Sequence, residues 1–303
     1  MNRNIIISGS ILLFVLLLSH KTSYAQFNRE LLGFDYSYIG PGDAEDRAGI
    51  SFNKWEARIA LPQRLKKPGA VIFHKLTYAN IHVGYDSQMD IPDALKDFTT
   101  VGYSLGLSTP LKNDWRLTVI LSPNISSNFE SSTKFKDIRL FGMSIFTKPI
   151  NKSKNLILSL GAMYSSTLGV PAPLPFASLM WNPNPQWSIS FGFPRMETSY
   201  KASDKTTLGT NLVMMGENFT LSKDLKVTTM DNETFQTPID NIKLSNMAWG
   251  LFWRQKITKR WSFNLNSGYT FSRIYEFADG TDKIIDFNLD NNLYIKAGVS
   301  FGF

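Results

Sequence analysis

Leu293-Tyr294-Ile295-Lys296-Ala297-Gly298-Val299-Ser300-Phe301-Gly302-Phe303 closes the chain, and its alternation is the first guide to the fold. Leu293, Ile295, Ala297, Val299, Phe301 and Phe303 fall on one side of an extended strand. Tyr294, Lys296, Gly298, Ser300 and Gly302 fall on the other, because successive side chains on a strand point to opposite faces. One face is wholly apolar and the other small or polar. A strand of roughly ten such residues crosses a bilayer at a tilt of ~45°, apolar face to lipid. An edge strand of a soluble β-sandwich shows the same alternation, so the rest of the chain has to decide.

Three other segments repeat the pattern, each opened by a polar turn and a Trp. Lys112-Asn113-Asp114 precedes Trp115, Leu117, Val119 and Leu121. Asn182-Pro183-Asn184-Pro185-Gln186 precedes Trp187, Ile189, Phe191 and Phe193. Thr258-Lys259-Arg260 precedes Trp261, Phe263, Leu265, Tyr269 and Phe271. Turns rich in Asn, Asp and Pro punctuate hairpins. A Trp at the start of each strand sits where an interfacial girdle forms, ring body in lipid and N–H near headgroups.

Extended along the chain, these patterns predict an all-β fold: a transmembrane antiparallel up-and-down β-barrel of 12–14 strands, one domain over residues 26–303. The count of 14 takes 207–215 and 219–229 as separate strands; with residues 207–230 as loop it is 12. Short turns at 62–69, 110–114, 149–155, 182–186 and 258–260 share one side. Longer connections at 86–97, 123–137, 194–206, 230–241 and 276–291 share the other. Short periplasmic turns opposite long extracellular loops are the asymmetry of outer-membrane barrels. The strand pattern starts at Leu32, which leaves no N-terminal stretch for a plug domain.

The other end reads as an export signal over residues 1–25. Arg3 precedes apolar residues 5–7 and 11–18, and Ser23-Tyr24-Ala25 ends in the small residue a signal peptidase requires, with cleavage before Gln26. The expected location is therefore the bacterial outer membrane. With 0 Cys, the chain has no disulfide, no lipid attachment site, no thiolate metal ligand and no Cys nucleophile. Aromatic residues make up 13%, a load that suits a lipid-facing wall with girdles better than a two-layer soluble core. The formal charge is +7, but Lys and Arg are scattered rather than clustered, so no nucleic-acid partner is expected. Outer-membrane lipid and lipopolysaccharide phosphates are the expected counterparts of that charge.

Charges within the strands give the candidate site. Lys54, Glu56 and Arg58 alternate with Trp55, Ala57 and Ile59, so they face inward. Arg116, Arg254 and Lys296 also oppose apolar faces, which makes Lys54, Glu56, Arg58, Arg116, Arg254 and Lys296 the expected pore lining. With Glu56 the only acid among them, such a pore favours anions; a salt-bridge network filling the barrel is the competing reading. Lys243 and Arg273 continue the lipid face at the extracellular strand ends.

Enzyme chemistry finds little support, and no catalytic residue, cofactor or metal is expected. His74 and His82, assigned to the lumen with Tyr78 and Asn80, stand eight residues apart, roughly 26 Å at the strand rise, too far to share a metal. His82 is followed by Val83-Gly84-Tyr85-Asp86, with no neighbouring Ser to serve as a nucleophile. Asp86 and Asp90 lie near a strand end without a specific spacing, and the clusters Asp43-Ala44-Glu45-Asp46 and Asp279-Gly280-Thr281-Asp282 lack the ligand spacing of a calcium loop.

On Tyr24-Ala25-Gln26, Pro173-Leu174-Pro175 leading to Trp187, Phe193-Pro194 and Phe301-Gly302-Phe303, the chain resembles uncharacterised outer-membrane β-barrel families of Gram-negative bacteria. The last strand is similar to the C-terminal strands of such barrels, whose final Phe is part of the signal read by the barrel-assembly machinery. That resemblance implies the machinery as a partner and supplies no catalytic residues. The barrels of the type IX secretion and gliding apparatus have similar length, but their Asn/Pro-rich start is missing after Gln26. The expected function is porin-like, a passive channel or transporter for small solutes. The alternative is a structural or partner-binding barrel without transport.

Overall fold

A computed structural model describes residues 30–43, 49–85, 92–132, 137–166, 168, 171–225, 238–280 and 282–302. The expected signal at 1–25, Asp86, Asp90, part of the first acidic cluster and Phe303 lie outside the described residues. The strands are β1 (Glu30–Asp43), β2 (Gly49–Arg64), β3 (Val71–Tyr85), β4 (Asp97–Pro110), β5 (Arg116–Ser127), β6 (Arg139–Pro149), β7 (Leu156–Ser165) and β8 (Ala172–Trp181). They continue as β9 (Trp187–Phe193), β10 (Arg195–Lys201), β11 (Thr206–Leu225), β12 (Ile239–Lys256), β13 (Trp261–Asp279), β14 (Asp282–Leu289) and β15 (Leu293–Gly302). One 3₁₀ turn, Asp93–Leu95, precedes β4.

Each strand from β1 to β13 pairs antiparallel with the next, β13 pairs with β15, and β15 pairs back to β1. The result is a closed ring of fourteen wall strands. β14 and β15 run along the same edge of β13, one above the other, so β14 heightens the wall without widening it. Closure leaves no sheet edge exposed around the base, which is what lets a β-structure sit in lipid.

Fourteen is the upper count read from the sequence, but three stretches are distributed differently. Residues 206–225 form one 20-residue strand rather than two. Residues 195–201, expected within a long extracellular loop, form β10, a short return strand paired with β9 and β11. The connection expected at 276–291 is mostly the β13–β14 hairpin.

The outer face carries the apolar belt. Trp181, Trp187, Trp253 and Trp261 are exposed near the turn ends, and Tyr36, Tyr78, Tyr164 and Tyr269 are exposed higher up, so two aromatic girdles bracket the aliphatic wall. Trp55 packs on Tyr78 at 5.1 Å within the upper girdle. The turn-then-Trp motif has a local cause. Asn184 Oδ1 accepts the Gln186 and Trp187 amides at 3.0 Å, and Thr258 Oγ1 accepts those of Arg260 and Trp261 at 3.2 and 3.0 Å. In the third copy, Asn113 and Asp114 take φ of 58° and 61°, the left-handed pair of a type I′ hairpin.

Above the belt the barrel closes over itself. The long strands β11, β12 and β13 lean inward until Thr220 of β11 pairs parallel with Ser127 of β5 across the ring. Fourteen apolar residues from both sides meet there in one buried core, among them Phe52, Leu95, Phe98, Phe219, Ile242 and Tyr275. Phe98 stacks on Phe219 with centroids 4.7 Å apart, and the Tyr85 and Tyr275 hydroxyls share a 2.5 Å hydrogen bond. Arg139, at the top of β6, clasps this return by donating to Asn218 O, Thr220 Oγ1 and Asn241 Oδ1 at 2.6, 2.5 and 2.6 Å. On the outside of this cap, Lys96 bonds Asp93 at 2.7 Å and holds its exposed carboxylate below the ordinary range.

Arg273 and Lys243, both expected on the lipid face, are buried for different reasons. Ser272 has φ 49° and sits in a bulge where Phe271 opposes Met247 but Ile274 opposes Ser245. One extra residue inverts the alternation above it. Arg273, expected on the lipid face, is therefore turned into the cap, 1% exposed, donating to Asp290 O at 2.6 Å and Ile50 O at 3.1 Å. Lys243 keeps the outer register but is buried against Glu276 at 2.7 Å, away from headgroups.

The charged barrel interior as candidate functional site

The six candidate charges do not stand as separate members of a ring. They divide into two ion-pair clusters and a turn brace. Arg58 donates to Glu30, Asp35 and Glu56 at 2.9, 2.5 and 2.7 Å, and Lys296 approaches Asp35 at 3.2 Å. Lys54 lies 3.4 Å from Glu56 and also bonds Glu217 on β11, a partner on the far arc of the wall. This pair ties one side of the barrel to the other. Gly33 and Gly298 leave the space: a Cβ on either would collide with Arg58 and Glu30 or with the Asp35 carboxylate.

Arg254 forms the second cluster, 3.0 Å from Glu197, which also takes Arg195 at 2.5 Å. Arg116 sits apart at the short-turn end of the barrel, donating to Gly69 O and Ser108 Oγ at 3.1 Å each. Its contacts are those of a turn brace.

Sequence reading set these bases against Glu56 alone, and the structure adds Glu30, Asp35, Glu197 and Glu217. Alternation in 33–37 against Phe34 and Tyr36 carried the signal for Asp35. Glu30 faces inward only because a register shift falls between it and Leu32. Glu197 and Glu217 are hidden in the sequence because alternation lapses in the segments that bear them. Five carboxylates facing seven bases, Lys75 and Arg195 included, offset most of the positive field expected of the lumen and leave a small basic excess.

The histidines lie elsewhere. Leu76 and Tyr78 are exposed on the outer face of β3, and His74 and His82 share that face, so their expected luminal position is overturned. His74 Nδ1 meets the Tyr103 hydroxyl at 2.6 Å, and His82 Nδ1 meets Asp97 at 2.9 Å. The inward face of β3 carries Lys75, Thr77, Ala79 and Ile81 instead. Among the described residues no group of three His, Asp or Glu side chains is placed to hold a metal.

Beneath the cap the interior holds a cavity of about 330 Å³, lined by Asp35, Lys54, Glu56, Glu217, Asn246 and Lys296 with Ser165 and Met215. Two further cavities of about 390 Å³ flank the β9–β10 hairpin, an apolar one on the wall's outer side and a serine-rich one on its inner side.

These features define a closed transmembrane β-barrel with a charged interior and a self-made cap over one mouth. The chain belongs to the family described as a domain of unknown function, DUF6268, whose match covers residues 63–302. No curated protein matches the sequence. Among solved structures, the chain is similar to the COG4313 outer membrane channel from Pseudomonas putida F1, with 11% identity, a TM-score of 0.45 and coverage of 93% of this chain and 100% of that one. It is similar to the NanC porin at 10% identity and TM-score 0.39, covering 90% and 100%. It also resembles the translocator domain of the autotransporter NalP from Neisseria meningitidis at 11% identity and TM-score 0.35, covering 99% and 96%. Likeness this distant carries no argument about what the barrel moves or binds.

Proposed function

We propose that the chain is an outer-membrane barrel of a Gram-negative bacterium, exported with loss of residues 1–25, that passes small solutes through its interior. Lys54, Glu56, Arg58, Arg254 and Lys296 line the route, with Arg116 at its periplasmic rim. The observation that carries this reading is the 330 Å³ cavity walled by paired charges under the cap. Pairing buried charges repays little more than their desolvation, so a purely structural interior needs them less than one that admits polar solutes. The pairing of most inward bases with acids supports an ion selectivity weaker than the anion preference expected from sequence.

A structural barrel without transport is the second reading, and the cap together with the Lys54–Glu217 tie supports it. Proteoliposomes separate the two. The transport reading expects efflux of small polar solutes above that of protein-free vesicles, with little steady ion current in planar bilayers. Absence of efflux both in the parent protein and in a Lys54→Ala, Glu217→Ala double variant would establish the filled, structural barrel.

A further inference from the structure

The wall has very uneven height. β9 and β10 are 7 residues each, whereas β11 runs for 20. At ~3.3 Å per residue and a tilt near 40°, a seven-residue strand climbs only about 18 Å, short of the ~25 Å apolar band of a transmembrane barrel. The β9–β10 turn at Phe193-Pro194 therefore ends inside the membrane, on the side of the outer leaflet.

Above that turn the ladder stops on both sides. The last β8–β9 partners are Ala177 and Phe193, and the last β10–β11 partners are Arg195 and Val213. Among the described residues, no strand pairs with β8 above Ala177 on that side, and β11 between Met214 and the Thr220–Ser127 bridge has a strand partner only in β12, with Asn218 O taken by Arg139 on the other side. The upper end of β8 carries Pro173 and Pro175, residues that cannot donate to a ladder and belong on an unpaired edge. The Arg139 clasp and the Thr220–Ser127 bridge place the upper part of β11 beside β5 and β6 rather than β8.

Cavities lie on both sides of the low wall and share residues. The outer one is apolar, lined by Leu158, Leu179, Phe191, Met196 and Leu212. The inner one holds Ser178, Ser188, Ser190 and Ser199 beside Arg195 and Glu197. Ser178, Phe193 and Pro194 line both, and Met214 lines the outer notch and the central cavity alike. Inside, the Arg195 and Arg254 guanidiniums converge on the single Glu197 carboxylate, which leaves one positive charge in excess.

Resting on the transport reading, we propose that this breach between β8 and β11 is a lateral port. Through it a single-chain amphiphile with an anionic head passes between the outer leaflet and the barrel interior. The chain lies in the apolar notch, and the head crosses Phe193-Pro194 to the serines and the two arginines. A planar guanidinium pairs with a carboxylate through two parallel hydrogen bonds, which suits that head.

The test uses the full-length mature protein in proteoliposomes with a diazirine-bearing fatty acid in the membrane, and adducts mapped by peptide mass spectrometry. Expected are adducts on inward-facing Ser178, Ser190 or Ser199. Ala177→Trp fills the notch from the lipid face, where a Trp is tolerated, and abolishes them. Leu251→Trp, on the outer face of β12, retains them. An Arg195→Gln, Arg254→Gln variant loses the adducts of the carboxylate probe and keeps those of its alcohol-headed analogue. Heat-modifiable gel mobility reports folding of each variant. Adducts confined to outward-facing residues, in vesicles that still pass polar solutes, would overturn the port and leave the transport reading standing. So would luminal adducts undiminished by Ala177→Trp. Luminal adducts without any solute efflux would keep the port and remove the transport reading.

Discussion

Phe219→Ala tests the cap most directly. Phe219 is fully buried and stacked on Phe98, and it belongs to β11, the strand that crosses the mouth. Burying an aromatic side chain of ~150–200 Å² at about 25 cal/mol per Å² is worth roughly 4–5 kcal/mol, and Phe→Ala core truncations cost ~3–5 kcal/mol. The wall below is held by its own ladder, so this loss falls on opening of the cap and leaves the barrel folded. The sequence has no cysteine, so a single Val83→Cys, 1% exposed in the parent core, supplies a clean reporter. At one decade per ~1.4 kcal/mol, thiol modification of Cys at 83 should accelerate by about two to three and a half decades in the Phe219→Ala background. Planar-bilayer recordings of the same variant should show ion current that the parent lacks. Acceleration of less than about threefold, worth under ~1 kcal/mol, with gel mobility and current unchanged, would refute a cap held by that contact.

Other outcomes follow from the interior. A double-mutant cycle on Lys54→Ala and Glu217→Ala, read by urea unfolding, should give a coupling of roughly 1–2 kcal/mol, above exposed pairs because both side chains are about two-thirds buried; 0.5 M salt should reduce it. Arg139→Ala removes three charge-assisted hydrogen bonds and should free the end of β11, seen as new protease cleavage between Asn218 and Leu225 at a cost of roughly 3 kcal/mol. For the current opened by Phe219→Ala, the reversal potential under a KCl gradient should sit near zero. Strong anion preference would show that Glu30, Asp35, Glu197 and Glu217 do not offset the bases.

Much of the wall was legible because lipid imposes one rule on it. Between the girdles every second residue must be apolar, so Trp187–Phe193 and Leu293 to Phe301 declare their faces in the bare sequence. Lys54, Glu56 and Arg58 follow by subtraction, as the residues lipid does not accept. That rule lapses above the membrane. β11 reads Met214-Met215-Gly216-Glu217 where it leaves the lipid, and alternation there no longer separates inside from outside. The strand consequently looked broken in two. β10, Arg195-Met196-Glu197-Thr198-Ser199-Tyr200-Lys201, is polar enough to pass for loop, and only its pairing with β9 and β11 identifies it.

What stayed illegible shares a physical character: it depends on contacts between distant segments. Lys54 and Glu217 are 163 positions apart and meet only because the ring closes and β11 leans across it. The bulge at Ser272 has no glycine to mark it, yet it sends Arg273 into the cap in place of the lipid. The same displacement links the two ends of the mechanism. By leaning inward to seal the mouth with Phe219, β11 forgoes the partner it would have had on the β8 side, and no strand replaces it among the described residues. The cap and the side breach are thus one deformation: closing the axial route makes the lateral one. Weakening the Arg139 clasp should therefore loosen the seal and narrow the gap together, a correlation that two independent features would not show.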